Sequence, residues 1–327
     1  MTLSVVIIGR NAAKDLTLIH AGQPTRLGFA DEIIYVDSCS EDESVRIAAD
    51  LKWRILELDP AGVISAAAGR HAGAAEARGD YILFLDSDME FGTSIPEDTF
   101  RTEIEERLCG EFVGAVGATI DCYPDGTVRR RGIKCQRHGG ADTFGGMLLI
   151  RRSVLLAAGN WNPCVLANEE IELHARLRKR GFRIRYDERV WCRHYTLDAS
   201  PLQTLRRAYV PLTARERMHF GSYGLAVRAA IRAGSLFQLM RIAPDPWLAL
   251  LTAVLLLVPP FRIADVLVLI ASCVLIARLR SFAYLAVCPA RVLHLIFGLL
   301  SYRDRPMLYR LVTVEGAKLP ASSQLKP

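Results

Sequence analysis

Tyr81-Ile82-Leu83-Phe84-Leu85-Asp86-Ser87-Asp88 is an apolar run that ends on two carboxylates one residue apart. A continuous apolar run of this length, bounded by polar residues, reads as a strand buried on both faces of a parallel sheet. Three more runs of the same kind precede it: Leu3–Ile8, Glu32–Asp37 and Trp53–Leu58. Between them, residues 41–51 and the alanine-rich residues 65–78 have helical spacing. Strands alternating with helices predict right-handed crossovers and a doubly wound α/β sheet. Ligands bind such sheets at the carboxyl ends of the strands. Gly9-Arg10-Asn11, Asp37-Ser38 and Asp86-Ser87-Asp88 are therefore expected along one edge of the fold.

Each polar end has a plain and a chemical reading. Asp86 and Asp88 are either an acidic turn or oxygen ligands for a hard divalent ion such as Mg²⁺ or Mn²⁺, which shares its shell with substrate phosphates. Asp37 is assigned to hydrogen bonding with a base or ribose. Asp42 is assigned to local structure, with Ser40 as N-cap and Glu43 at N3 of the following helix. Farther along, Asn168-Glu169-Glu170-Ile171-Glu172-Leu173 reads as a helix start whose acids complement the dipole. The same stretch can offer a glutamate as general base to an attacking hydroxyl. Nothing beside His194 decides between a hydrogen-bonded residue and a ligand.

Taken in order, these pieces resemble the inverting glycosyltransferases of family 2, which have the GT-A nucleotide-diphospho-sugar transferase fold. The resemblance covers Leu3 to Tyr195. Its motifs are the opening strand with Gly9, Arg10 and Asn11; Asp37-Ser38-Cys39-Ser40; Gly69-Arg70-His71; Asp86-Ser87-Asp88; Gly145-Gly146; Glu169-Glu170; and His194. The resemblance implies a UDP- or GDP-sugar donor held by Gly9, Arg10, Asn11, Asp37, Arg70 and Asp86. It implies Mg²⁺ or Mn²⁺ on Asp88, His194 and Asp86, an acceptor side at Gly145 and Gly146, and Glu170 as base with Glu169 as the alternative. The chain departs from the pattern at Ile8-Gly9, at His71 in place of asparagine, and at Glu170 in place of aspartate. Gln203-Thr204-Leu205-Arg206-Arg207 lacks the tryptophan of processive members, so transfer of a single sugar is expected.

The chain has 327 residues, 51% of them hydrophobic and 23% charged, which fits a folded protein of about two units and argues against disorder. The glycosyltransferase domain is expected over 1–215. A hydrophobic helical region is expected over 216–327, with apolar segments about 247–258, 264–277 and 282–300. A spanning helix needs roughly 20 apolar residues. The first two segments are shorter, so a pair of short spans turning at Pro259-Pro260, an interfacial hairpin, and core helices of a soluble domain all stand. Arg278 and Arg280 favour membrane contact with the basic side cytoplasmic. The opening residues carry no charged leader or cleavage site, so the N-terminal part is expected on the cytoplasmic face of the membrane. A glycan or polyprenyl-linked lipid acceptor in polysaccharide biosynthesis follows from that location.

The net charge is +6, and arginines crowd between Arg176 and Arg232, a run suited to phosphate ligands or an anionic surface. No nucleic-acid motif accompanies it, so no nucleic-acid partner is expected. The eight cysteines form no Cys-x-x-Cys pair and read as reduced thiols. Two rivals remain. Another nucleotide-dependent α/β enzyme, such as a nucleotidyltransferase or dehydrogenase, lacks here its glycine-rich or lysine-bearing phosphate loop. A non-catalytic binding module with the same fold is opposed by the acids at Asp37, Asp86, Asp88 and Glu170.

Overall fold

The computed structural model describes residues 2–21, 27–92, 97–131, 144–195, 206, 210, 221–244, 246–247, 250, 292–293, 295–300 and 307–312. Most of the apolar segments and the processivity stretch around Gln203 fall outside these residues. No helix among the described residues is long and apolar enough to cross a membrane.

In chain order the elements are β1 (Leu3–Gly9), α1 (Ala13–Asp15) with a wider helical turn over Leu16–Ala21, β2 (Glu32–Asp37), α2 (Ser44–Asp50), β3 (Arg54–Leu58) and α3 (Ala66–Glu76). Then come β4 (Tyr81–Asp86), β5 (Met89–Phe91), α4 (Glu97–Arg107), β6 (Phe112–Cys122), β7 (Val128–Arg130), β8 (Leu148–Arg151), α5 (Arg152–Ala157), α6 (Glu169–Lys179) and β9 (Arg183–Tyr195). The last are α7 (Ser222–Arg232), α8 (Leu236–Ile242) and β10 (Tyr309–Val312). The chain divides into two compact units. One comprises Met1–Cys164, Arg176–Asp198 and Asp304–Pro327; the other comprises Val165–Ala175 and Ala199–Arg303.

The first unit is built on a single sheet in the order β10-β3-β2-β1-β4-β8-β6-β9-β5, with β7 on β6. The four strands read from the sequence are the parallel block β3-β2-β1-β4. β1 and β4 are buried almost throughout, as continuous apolar runs require. α3 lies close on this block because Gly69 and Gly73 bring its backbone against Ile8 and Val6, where a Cβ has no room. The sheet is mixed: among the described residues, β6–β9 adds a further parallel pairing, while β10–β3, β4–β8, β6–β8, β6–β7 and β5–β9 are antiparallel. After β4 several strands meet antiparallel neighbours, and apolar periodicity does not encode strand direction.

Two expectations change. Residues 216–327 are not wholly helical, since β10 pairs with β3 at the sheet edge and the backbone N–H of Asp59 donates to the Leu308 carbonyl. Four residues of alternating pattern are too short to announce a strand. The box of Ser40 and Glu43 does not form either. α2 begins at Ser44, and the Ser40 hydroxyl is taken by Asp37 and by the backbone N–H of Asn11.

In the second unit, α7 buries Tyr223, Ala226, Val227, Ala229 and Ala230 in a cluster with Val165, Ile171, Leu239 and Leu295. Gly221 and Gly224 meet Gly298 of the helical residues 295–300 so closely that a Cβ on Gly224 or Gly298 would strike backbone, and one on Gly221 the Phe297 ring. Trp247 donates to the Tyr223 hydroxyl at 3.0 Å, and that hydroxyl donates to the Ala243 carbonyl at 3.1 Å. Ile231, Phe237, Leu293, Phe297 and Leu300 are exposed.

Candidate active site

Strand register sets the site. Gly9 pairs with Asp37, and Ile8 pairs with Asp86, so the three polar strand ends lie at one level of the sheet. The loops after β1 and β2 are stitched together by side-chain to backbone bonds. Asn11 Oδ1 accepts from Glu41 N at 2.9 Å, Ser44 Oγ accepts from Ala12 N at 2.8 Å, and Asp42 Oδ2 accepts from Ala13 N at 3.0 Å. Asn11 sits at φ 51°, in the left-handed region that asparagine tolerates. Arg10 between these anchors is exposed.

Asp37 is buried, and most of its acceptor capacity is committed. Ser40 donates its N–H to Oδ2 at 2.8 Å and its hydroxyl to Oδ1 at 2.5 Å, and Tyr35 donates to Oδ1 at 3.3 Å. A carboxylate offers about four lone pairs, so one site on Oδ2 remains for a ligand. Gly9 has no room for a side chain, because a Cβ there would press on the Tyr35 hydroxyl and Ser87 Oγ.

Asp86 and Asp88 have separate environments. The Arg70 guanidinium donates to Asp86 Oδ1 at 2.6 Å and lies 5.1 Å from the Trp161 ring centroid. Arg70, expected among the donor-holding residues, is buried and bonded to Asp86. The antiparallel register of β8 on β4 carries Gly146 beside Asp86, and a Cβ on Gly146 would overlap that carboxylate and the Met89 methyl. Gly146 therefore makes room for a β4 acid, while Gly145 takes a left-handed φ of 55°.

Asp88 meets His194. β5 and β9 pair Met89 with His194, and Tyr195 N donates to Asp88 O at 2.9 Å, which brings His194 Nε2 to 3.3 Å from Asp88 Oδ2. Asp88 Oδ1 is shielded from solvent and has no hydrogen-bond partner among the described residues. Leaving a buried carboxylate oxygen unpaired is costly, and a cation would relieve it. Burial, and then the charge of Asp88, also push the Asp15 carboxyl up from its ordinary value. An acid and an imidazole on one spot fit a divalent ion. Among the described residues, no set of three or more such side chains closes around a common point.

Sequence reading missed Asp15 and Asp121. Asp121 is the register partner of His194 on β6 and lies 2.9 Å from its Nδ1. Nothing local marks either residue; only the pairing of distant strands does. The arginine run also reads differently in three dimensions. Arg176 and Arg180 donate to the carbonyls of Ala158 and Ala157, Arg183 pairs with Glu111, and Arg189 pairs with Asp187. These cations serve the fold.

The acids of α6 belong to the second unit. Glu169 and Glu172 are buried, while Glu170 is half-buried. Asn168 precedes them at φ 62°, and its carbonyl accepts the first helical N–H, from Glu172.

Residues 4–156, a little under half of the chain, match the family model of Glycosyl transferase family 2. The fold is similar to that of the mannosyltransferase PcManGT from Pyrobaculum calidifontis in complex with GDP-Man and Mn²⁺, with a TM-score of 0.55 and 14% identity over 92% of this chain and 88% of that one. GalNAc-T7 with UDP, GalNAc and Mn²⁺ is more distant, with a TM-score of 0.48 and 13% identity over 74% of this chain and 56% of that one. S. aureus TarS 1-349 with UDP-GlcNAc has a TM-score of 0.48 and 12% identity over 99% of both chains. The chain spans 56% of the GalNAc-T7 chain and 59% of the longer S. aureus TarS chain. No curated protein sequence matches it. The fold is the mixed α/β sheet of the GT-A glycosyltransferases, and residues 4–156 carry the match to Glycosyl transferase family 2.

Proposed function

We propose that this chain is a glycosyltransferase that binds a UDP- or GDP-sugar with Mn²⁺ or Mg²⁺ and transfers a single sugar, with inversion, to a glycan or polyprenyl-linked lipid acceptor. The observation that carries the reading is the meeting of Asp88 and His194 at the level of Gly9, Asp37 and Asp86.

Asp88 and His194 would hold the ion, and an imidazole in the set favours Mn²⁺ over the harder Mg²⁺. When bound, the ion supplies charge neutralisation and orientation for the departing diphosphate. The free acceptor site of Asp37 takes a donor N–H or ribose hydroxyl, with Gly9 and Asn11 shaping the loop beside it. Asp86, fixed by Arg70, faces the donor as a hydrogen-bond acceptor. Glu170 removes the proton of the acceptor hydroxyl as that oxygen attacks the anomeric carbon.

The membrane part of the proposal rests on the apolar segments of the sequence and on the exposed Ile231, Phe237, Phe297 and Leu300. It places the enzyme at the cytoplasmic face. Deleting everything after residue 235 is a poor test, because it also strips β10 from β3. Flotation of the full chain with anionic vesicles is the better one, and a chain that stays at the bottom of the gradient counts against a membrane acceptor.

The donor reading is tested by screening nucleotide-sugars for binding and hydrolysis with and without Mn²⁺. Metal-dependent turnover of a UDP- or GDP-sugar, lost in Asp88→Ala, is expected. Binding without turnover of any donor would favour a non-catalytic sugar-nucleotide-binding module.

A further inference from the structure

We propose that Asp121 is a positioning residue that makes His194 a metal ligand, by accepting the hydrogen bond of the ring Nδ1–H so that the Nε2 lone pair faces Asp88. The proposal rests on the reading of Asp88 and His194 as the ion's protein ligands.

The geometry is that of an imidazole clamped from both sides. Nδ1 lies 2.9 Å from Asp121 Oδ1, and Nε2 lies 3.3 Å from Asp88 Oδ2. A neutral imidazole has one N–H and one lone pair, so whichever nitrogen donates leaves the other free to ligate. Metal-bound histidines commonly give their second N–H to a carboxylate, which fixes tautomer and ring orientation and raises ligand basicity.

A competitor makes the carboxylate necessary here. Arg131 Nη2 lies 2.6 Å from the same Nδ1. A guanidinium only donates, so facing Arg131 alone Nδ1 would have to be bare. The ring hydrogen would then sit on Nε2 and close it to a cation. Asp121 reverses this choice and also engages Arg131 in an ion pair. Its place is secured by the fold, since Asp121 and His194 are register partners on β6 and β9. Neither nitrogen is left to solvent to decide.

The test measures Mn²⁺ affinity of the full chain by electron paramagnetic resonance of the free ion, without donor. Asp121→Asn is expected to weaken Mn²⁺ binding about 10- to 100-fold in the wild-type background. In a His194→Ala background the same change is expected to do nothing further, which a merely structural effect would not produce. Equal weakening in both backgrounds, or wild-type affinity in Asp121→Asn, overturns the proposal. Asp88→Ala is the control on the underlying reading. If it loses Mn²⁺ while Asp121→Asn does not, the metal site stands and the role of Asp121 falls. If the wild type binds no Mn²⁺, both fall. Should Asp121→Asn fail to fold, ¹⁵N NMR of the histidine-labelled wild-type chain at alkaline pH decides. An Nδ1–H ring at His194 is expected, and an Nε2–H ring overturns the assignment.

Discussion

Arg70 reaches Asp86 across 2.6 Å from a side chain that is 4% exposed, with the guanidinium backed by Trp161. This pair separates two acids that look equivalent in sequence. Asp86 is committed to a fixed cation, and Asp88, two residues on, is left to His194. Trp161 is itself held edge-on by Phe84 and Phe144, so the cation rests on the aromatic core.

Replacing Arg70 should therefore disturb the donor side and spare the ion. Arg70→Met is expected to weaken nucleotide-sugar binding about tenfold while Mn²⁺ affinity stays within twofold of wild type. Arg70→Lys should not restore it, because an ammonium cannot both stack on Trp161 and donate in the same geometry. Calorimetric titrations with donor and with Mn²⁺ separate the two effects.

Gly146→Ala places a methyl where the Asp86 carboxylate lies. Overpacking of this kind costs about 1–3 kcal/mol, and here it also displaces a functional acid. Transfer activity is expected to fall at least about a hundredfold with little change in circular dichroism. Gly126→Ala is the contrast. That glycine has φ 83° and open space around it, so the change should cost about 1 kcal/mol of stability and no activity.

Glu170 is half-buried and Glu169 is buried, which favours Glu170 as the group that meets an acceptor. Glu170→Gln is expected to lower kcat about 10²- to 10⁴-fold with donor affinity kept. If Glu169→Gln does this while Glu170→Gln leaves turnover intact, the assignment is reversed.

His71 should make the fold acid-sensitive. Burial, aided by the charge of Arg176, holds its imidazole below the ordinary value of 6.5, against the opposing hydrogen bond between Nδ1 and the Trp161 carbonyl. The unfolded chain thus binds a proton more readily than the folded one. Stability from this group is full above pH 6.5 and is lost as pH falls below it, toward the folded-state value. In urea titrations at pH 7.5 and 5.5, wild type is expected to lose more stability than His71→Asn. Identical losses would show that His71 does not contribute.

The parallel block was legible because it is local. Runs such as Val5–Ile8 and Ile82–Leu85 bury both faces whatever surrounds them, and their polar ends mark the carboxyl edge. Asp37, Asp86 and Asp88 could be picked out for the same reason, each standing at or just beyond the end of such a run, whereas His194 was marked only by the family resemblance. The return of β10, the antiparallel strands after β4 and the fate of the arginine run were not legible, since each depends on a pairing partner far along the chain.

By itself, then, the sequence determined that a sheet would present three polar strand ends to one edge, because apolar periodicity and strand ends are properties of consecutive residues. Only the tertiary structure decided which group each acid meets. Register between β9, β5 and β6 put His194 between Asp88 and Asp121, and the approach of β8 to β4 gave Asp86 its space at Gly146. The close approach of α3 set Arg70 beneath Asp86. Hydrogen bonds and ion pairs act over about 3 Å, so partners separated by many residues are chosen by strand pairing and packing and not by spacing in the chain.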